Sequence, residues 1–332
     1  MRASQRFVDG QFRNSAGAGV GPGLKGSPLP LLGEYFRGGQ ARVPKGPLPL
    51  LDPRPVWQRP AETGLRVTWL GHSTLLLEVD GFRILTDPVF GDRASPASFT
   101  GPKRFHPVPV QLSSLPPLDA VLVSHDHYDH LCIATIRELA RRRVPFITAL
   151  GVGAHLEAWG VLPELITELE WWEEKVLPGG GLSFTAAPAQ HFSGRALGDR
   201  NATLWASWVL RSDRHRVFFS GDTGLTEEFR EIGRRLGPFD LVMLEIGAFH
   251  PAWADIHLGP ENAAKAFGML GGGTLLPVHW GTFNLALHAW DEPAETLLRL
   301  ADEQRLRVIT PRLGGSLEPS RVEQVDPWWR EV

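Results

Sequence analysis

Seven consecutive residues constrain this chain more than any other stretch of it: Ser124-His125-Asp126-His127-Tyr128-Asp129-His130. They set out a His-x-His-x-Asp-His pattern directly after Ala120-Val-Leu-Val-Ser124, a run that reads as a buried strand. Neutral imidazole and carboxylate are good ligands for Zn²⁺ and similar divalent ions. A tight turn at a strand end lets alternate side chains point into one pocket. Four ligand-type residues between positions 125 and 130 exceed what one tetrahedral ion with its water takes from so short a segment, so the pattern points to two ions. The competing reading of the stretch is a polar helix start with Asp and His as caps.

Further ligand candidates stand where later apolar runs stop. His191 follows Ala186-Ala-Pro-Ala-Gln190, Asp222 follows Val217-Phe-Phe-Ser-Gly221, and His279 follows Leu275-Leu-Pro-Val278. Sheets with parallel strands present their ligands at strand carboxyl ends. Each of these residues taken singly reads as a loop cap, and only the joint set argues for a site.

The surrounding texture is that of an α/β protein with sheets at its centre. Arg66 to Leu70, Thr74 to Val79 and Phe82 to Thr86 are short β-rich runs, the last two separated by the hairpin signal Asp80-Gly81. Strands are expected again at 145–149, 182–187, 204–210, 217–220, 240–246 and 274–278. Helices are expected over 133–143, 227–236, 261–270 and 292–304. Residues 1–63 differ: the run Ala16 to Gly23 and eight prolines from Pro28 to Pro60 disfavour long helices and central strands. They read as an irregular arm, with one short helix near Leu31 to Phe36, preceding a hydrolase domain at 64–332.

Composition removes several classes. With 42% hydrophobic and 21% charged residues among 332, the chain can bury a large core and is not a disordered polymer. A formal charge of −3 and no long basic stripe argue against a nucleic-acid partner. The single cysteine, Cys132, excludes an intrachain disulfide and fits a reducing, cytoplasmic setting. The first ten residues lack a continuous apolar stretch of signal-peptide type, and no run of 18 apolar residues occurs. Membrane contact is then expected to be peripheral and reversible.

His125, His127, Asp129, His130, His191, Asp222 and His279 together resemble the metallo-β-lactamase superfamily. Thr68-Trp-Leu-Gly-His-Ser-Thr74, Leu85-Thr-Asp-Pro-Val-Phe90, Gly101-Pro-Lys-Arg104, Glu170-Trp-Trp-Glu-Glu174, Ser220-Gly-Asp-Thr-Gly224 and His279-Trp-Gly-Thr-Phe283 resemble, more narrowly, the N-acyl-phosphatidylethanolamine-hydrolysing phospholipase D family. Ascorbate-6-phosphate lactonase-like proteins share a more general part of the pattern. The resemblance spans about residues 65 to 300 and implies an αββα sandwich with two Zn²⁺ at the top of two facing sheets. It assigns His125, His127 and His191 to one zinc, Asp129, His130 and His279 to the other, and Asp222 to both. Mn²⁺ or Fe²⁺ suits the same ligands. It further implies oligomers, although no residue here identifies an interface.

Such a pair of ions lowers the pKa of bound water to about 7 and can hold a bridging hydroxide beside a substrate oxygen. The expected activity is therefore phosphodiester hydrolysis of phospholipase D type on N-acyl-phosphatidylethanolamine-like lipids, with Asp129, Asp222 and His257 as catalytic groups. His257 is taken as the group that polarises the substrate. Lys103 and Arg104 are candidates for a phosphate head group. Trp253 and Phe283, with Phe249 and Trp290, are candidates for an apolar entrance. His72 reads as supporting the site from behind. Two other readings remain open on sequence: a lactonase for small phosphorylated sugar lactones, and a metal-binding interaction domain with little catalysis.

Overall fold

A computed structural model describes residues 4–15, 39–97, 99–253 and 255–332. The amino-terminal segment opens with a hairpin, β1 (Phe7–Val8) and β2 (Gln11–Phe12), then a four-residue helix, α1 (Arg54–Trp57). The main body begins with an antiparallel meander, β3 (Leu65–Gly71), β4 (Thr74–Val79) and β5 (Phe82–Thr86), turned as expected at Asp80-Gly81. Both turn residues have positive φ, 48° and 94°, the geometry that suits the strand twist.

Parallel strands β6 (Ala120–Val123), β7 (Phe146–Ala149) and β8 (Ile166–Leu169) extend this sheet. The crossovers between them carry α2 (Ile133–Arg141) and α3 (Gly153–Ala158). The second sheet starts antiparallel with β9 (Glu174–Val176), β10 (Leu182–Ala187), β11 (Ser207–Ser212) and β12 (Arg216–Phe219). It ends in parallel with β13 (Leu241–Glu245) and β14 (Thr274–Val278), through crossovers α4 (Glu228–Leu236) and α5 (Gly259–Met269). After α6 (Glu292–Gln304), the chain returns to the first sheet, where β15 (Ser316–Leu317) pairs with β3.

Strand alternation sorts the side chains into layers. On one face of the first sheet, Leu76, Leu85, Val121, Val123 and Phe146 pack on Ile136, Leu139 and Leu156 of α2 and α3. On its other face, Val67, Trp69, Leu75, Leu77, Ile84 and Leu122 share a cluster with Phe184, Trp208, Leu210, Val217 and Phe219 of the second sheet. The far side of that sheet meets helices again: the Phe218 ring lies 6.2 Å from Phe229 of α4, edge to face. Helix, sheet, sheet, helix is thus the layer order. Burying each such Leu or Phe contributes about 1.5–3 kcal/mol.

Several details differ from the sequence reading. Residues 204–206 do not belong to the second sheet; Leu204 and Ala206 donate instead to the carbonyls of Leu150 (2.7 Å) and Ser124 (3.1 Å), joining the two sheets. Strands β8 and β9 and helix α3 are not among the expected elements, because their runs Ile-Thr-Glu-Leu, Glu-Lys-Val and Gly-Ala-His-Leu-Glu-Ala mix polar and apolar residues over too few positions to show an unbroken apolar stretch. The arm contains a hairpin, and it is docked: Phe12 and Trp57 are buried. The Gly/Pro run at 16–23 and the expected helix near Leu31 to Phe36 lie outside the described residues.

Candidate metal centre

The ends of β3, β5, β6, β10, β12, β13 and β14 meet at one place, and all seven sequence-predicted ligands stand there. Three of the converging residues, His72, Asp87 and His279, have left-handed backbones, φ 54°, 33° and 62°. Non-glycine residues hold that conformation only where their surroundings enforce it. Gly221, at φ 55°, lets the end of β12 come against the end of β6: a Cβ there would meet Ser124 Cβ at 2.7 Å. That approach brings Asp222 beside the histidine loop.

Two groups of ligand atoms share Asp222. In the first, His127 Nδ1 lies 2.9 Å from His125 Nε2 and 3.3 Å from His191 Nε2, and Asp222 Oδ2 is 3.9 and 3.8 Å from the latter two atoms. In the second, His130 Nε2 and His279 Nε2 each lie 3.1 Å from Asp222 Oδ2, and 3.6 and 3.3 Å from Asp129 Oδ2. His72 Nε2 adds a further contact to Asp129 at 3.1 Å. Every one of these imidazoles except His127 is essentially sealed from solvent.

The donor set fits divalent cations. His191 Nδ1–H donates to the Ile256 carbonyl at 2.8 Å, leaving Nε2 with its lone pair inward. Ser124 Oγ–H donates to Asp87 at 2.6 Å and so accepts from His125 Nδ1 at 2.9 Å, which fixes the same tautomer on His125. His130 Nδ1–H donates to Asp87 at 2.7 Å. Imidazole lone pairs and carboxylate oxygens thus face one another, while His130 Nε2, His279 Nε2 and Asp222 Oδ1 are buried without a hydrogen-bond partner. Such an arrangement suits a Lewis acid held between the ligands.

Proton affinities follow the same division except at His72, which stands beside Asp129 yet is lowered as the first group is. Burial, with neighbouring imidazoles, holds His125 and His191 well below the ordinary histidine range, and burial with His279 pushes His72 down to about 3. At the other group burial is outweighed by Asp222 and Asp129. They hold His130 well above its usual value and push His279 up to about 10. A field that draws protons onto two buried histidines is one that a divalent cation can take up in their place.

Two supporting carboxylates were not singled out from sequence. Asp87, fully buried, accepts from Ser124 N–H (2.7 Å), Ser124 Oγ–H and His130 Nδ1–H. Its signal lay in the Leu85-Thr-Asp-Pro motif. Glu245 ends the apolar strand β13; it accepts from Thr223 N–H and from His257 Nδ1–H, both at 2.6 Å. A glutamate closing a buried strand is the cue that would have found it.

His257 is near the predicted ligands, with its ring 5.1 Å from His191 and 5.3 Å from His279. Lys103, Arg104 and Trp253 line a cleft of about 620 Å³ together with Phe105 and Leu285. None of the seven ligand candidates borders it. Phe283 stands between: its ring packs edge-on against His72 at 5.2 Å, and His72 reaches Asp129. Arg104 is buried, its guanidinium donating to the carbonyls of Gly91 (3.1 Å) and Val89 (2.8 Å) and lying 5.2 Å over Phe283. Arg195 lies 4.0 Å over the Tyr128 ring and donates to Leu131 O at 2.9 Å, bracing the histidine loop. Trp290 is buried against Trp328.

A family model described as "Beta-lactamase superfamily domain" matches residues 82–280. An uncharacterized protein of Mycobacterium tuberculosis is 49% identical over 87% of this chain and 78% of its own length. The N-acyl-phosphatidylethanolamine-hydrolyzing phospholipase D 1 of Caenorhabditis elegans is 38% identical, covering 73% of this chain and 71% of that protein. Among solved structures, an isothiocyanate hydrolase from Delia radicum gut bacteria aligns with a TM-score of 0.62 at 21% identity, over 76% of this chain and 98% of that one. The chain is a metallohydrolase belonging to the metallo-β-lactamase superfamily, with relatives among the N-acyl-phosphatidylethanolamine-hydrolysing phospholipases D.

Proposed function

We propose that this protein is a two-metal phosphodiesterase of phospholipase D type, acting on N-acyl-phosphatidylethanolamine-like lipids. The observation that carries the reading is the place of Asp222, whose Oδ2 stands 3.1 Å from both His130 Nε2 and His279 Nε2 and 3.9 and 3.8 Å from His125 Nε2 and His191 Nε2, between the two sets of side chains. His125, His127 and His191 would hold one ion, Asp129, His130 and His279 the other, and Asp222 both. Divalent ions held there, Zn²⁺ by preference, would polarise a phosphoryl oxygen and make hydroxide available from water near neutral pH. The likeness to the C. elegans phospholipase supports the substrate class.

The chain's own residues supply the rest. Glu245 holds His257 through Nδ1–H and favours its imidazolium form, whose Nε2–H would be free to donate to a phosphoryl oxygen or protonate the leaving alkoxide. Asp87 and the Ile256 carbonyl keep ligand tautomers fixed. The cleft bordered by Lys103 and Trp253 is our candidate for the lipid, with Phe283 and Arg104 as the wall between it and the centre. The apolar lining suits an acyl chain, and Lys103 suits a phosphate. In hydrolysis, water adds to phosphorus and the P–O bond to the N-acylethanolamine breaks, leaving phosphatidate.

No helix among the described residues is long and apolar enough to cross a membrane. We place the protein in the cytoplasm, reaching lipid by peripheral contact, on the strength of its single cysteine. Zinc-loaded protein incubated with N-acyl-phosphatidylethanolamine vesicles should release N-acylethanolamine and phosphatidate. His127→Ala should abolish that release while the fold persists. Opening of sugar lactones without any phosphodiester turnover would replace this reading with a lactonase. A loss of fold together with the metal would replace it with a structural-metal domain.

A further inference from the structure

The segment carrying His191 lies beyond the end of β10 at Ala187, where strand pairing no longer serves its backbone. His191 is completely buried, so its main-chain N–H and C=O need partners inside the protein. Both partners are one side chain from the amino-terminal arm. Asn14 Oδ1 accepts from His191 N–H at 3.0 Å, and Asn14 Nδ2–H donates to His191 C=O at 2.8 Å. The amide thus stands in for a neighbouring strand, 177 residues away in sequence.

Asn14 is itself held. It is 6% exposed, and its Oδ1 also accepts from Trp205 Nε1–H at 3.1 Å. Trp205 Nε1–H donates as well to Ala189 O at 3.0 Å, two residues before His191. Trp171 Nε1–H donates to Trp205 O at 2.6 Å. The arm grips the same tryptophans from outside. The Arg6 guanidinium lies 4.3 Å over Trp171, Ser4 Oγ–H donates to Glu170 at 2.8 Å, and Phe12 N–H donates to Asn201 O at 2.7 Å. Glu170 and Trp171 of the Glu170-Trp-Trp-Glu-Glu174 motif thus dock Ser4 and Arg6, while Phe12 and Asn14 dock on Asn201, His191 and Trp205.

We infer that Asn14 is a positioning residue of the metal centre. By closing both main-chain hydrogen bonds of His191 it aims that imidazole at His127 and sets the affinity for the ion on the His125, His127 and His191 side. The inference rests on the proposed role of His191 as a ligand. Partners that orient ligands typically carry 10–100-fold of metal affinity. The arm, which the sequence set apart from the hydrolase domain, then completes its site.

The test uses the full-length chain, Zn²⁺ and a chromophoric chelator, with metal content read per protein and Co²⁺ absorption as a second signal. Asn14→Ala should weaken one of the two Zn²⁺ ions by about 10–100-fold and leave the other within twofold. Asn14→Asp keeps the volume and the acceptor but faces the His191 carbonyl with an oxygen, so it should weaken the same ion by less. Circular dichroism should show both variants folded. If Ala alone fails to fold, Asp carries the test. His191→Ala serves as reference. If it retains both ions, the ligand reading itself fails. If it loses one ion and both Asn14 variants bind like wild type, or lose both ions equally, only the positioning inference is overturned.

Discussion

Asp87→Asn is the substitution that the structure makes most informative. The carboxylate accepts three donors: Ser124 N–H at 2.7 Å on Oδ1, and Ser124 Oγ–H at 2.6 Å with His130 Nδ1–H at 2.7 Å on Oδ2. Asparagine has nearly the same volume and tolerates the left-handed backbone at this position, φ 33°, so packing should survive. It has only one acceptor oxygen. If that oxygen stays on Ser124 N–H, the new NH₂ faces Ser124 Oγ, which can turn and accept from it while still accepting from His125 Nδ1–H, and His130 Nδ1–H, which cannot accept. His130 escapes the clash by moving its proton to Nε2, the atom 3.1 Å from Asp222. The ligand lone pair is then lost although no ligand has been changed. Loss of such support costs about 10–100-fold in metal affinity, or about 1.4–2.7 kcal/mol. A chelator competition at fixed pH should show that loss for one ion of two, with hydrolysis falling in parallel and recovering in part at high Zn²⁺. Wild-type affinity for both ions in a folded Asp87→Asn protein would refute the tautomer argument.

Four further outcomes are expected. His257→Gln should keep full metal content yet lower kcat by about 10²–10⁴-fold, the range for a group that handles a proton in the transition state; an unchanged kcat removes His257 from the reaction. Glu78→Ala should destabilise by about 3–5 kcal/mol in urea unfolding, because it strips the buried Arg66 of a partner 2.5 Å away; a change below about 1 kcal/mol contradicts the pairing. Phe218→Ala, which empties the space between β12, Phe229 and Phe239, should cost about 3–5 kcal/mol in the same assay. His106 gives a pH signature: burial, then Arg104, pushes its pKa down to about 3 from 6.5. Between those values the unfolded chain binds a proton that the folded chain does not, so this residue's contribution is complete above about pH 6.5 and lost as pH falls towards 3, with a slope of about 1.4 kcal/mol per pH unit. His106→Gln should flatten the acid limb of stability against pH by that amount, and an unaltered limb counts against it.

Much of this was legible because metal chemistry leaves its mark locally. The loop His125 to His130 announces itself in six residues, and His191, Asp222 and His279 each stand one step beyond an apolar run. Long strands with alternating or unbroken apolar residues, such as Thr74 to Val79, could be placed closely. What escaped depends on contacts distant in sequence. Asp87 and Glu245 look like strand-end polar residues until the fold turns them onto His130 and His257. Asn14 shows nothing until it meets His191. The hairpin at Phe7 to Phe12 carries the same Asp-Gly turn signal as residues 80–81, but two-residue strands have no alternation to read. Arg104, read from sequence as a candidate for a phosphate head group, has two of its guanidinium nitrogens turned onto the carbonyls of Gly91 and Val89, contacts that no local pattern announces.

The central claim is that two ions share one carboxylate between two sets of imidazoles. Crystals of the zinc-loaded protein, measured on both sides of the zinc absorption edge, test it directly. The account predicts two anomalous peaks about 3.5–4 Å apart, one bordered by His125, His127 and His191, the other by Asp129, His130 and His279, with Asp222 touching both. A single peak, or peaks away from Asp222, would contradict it.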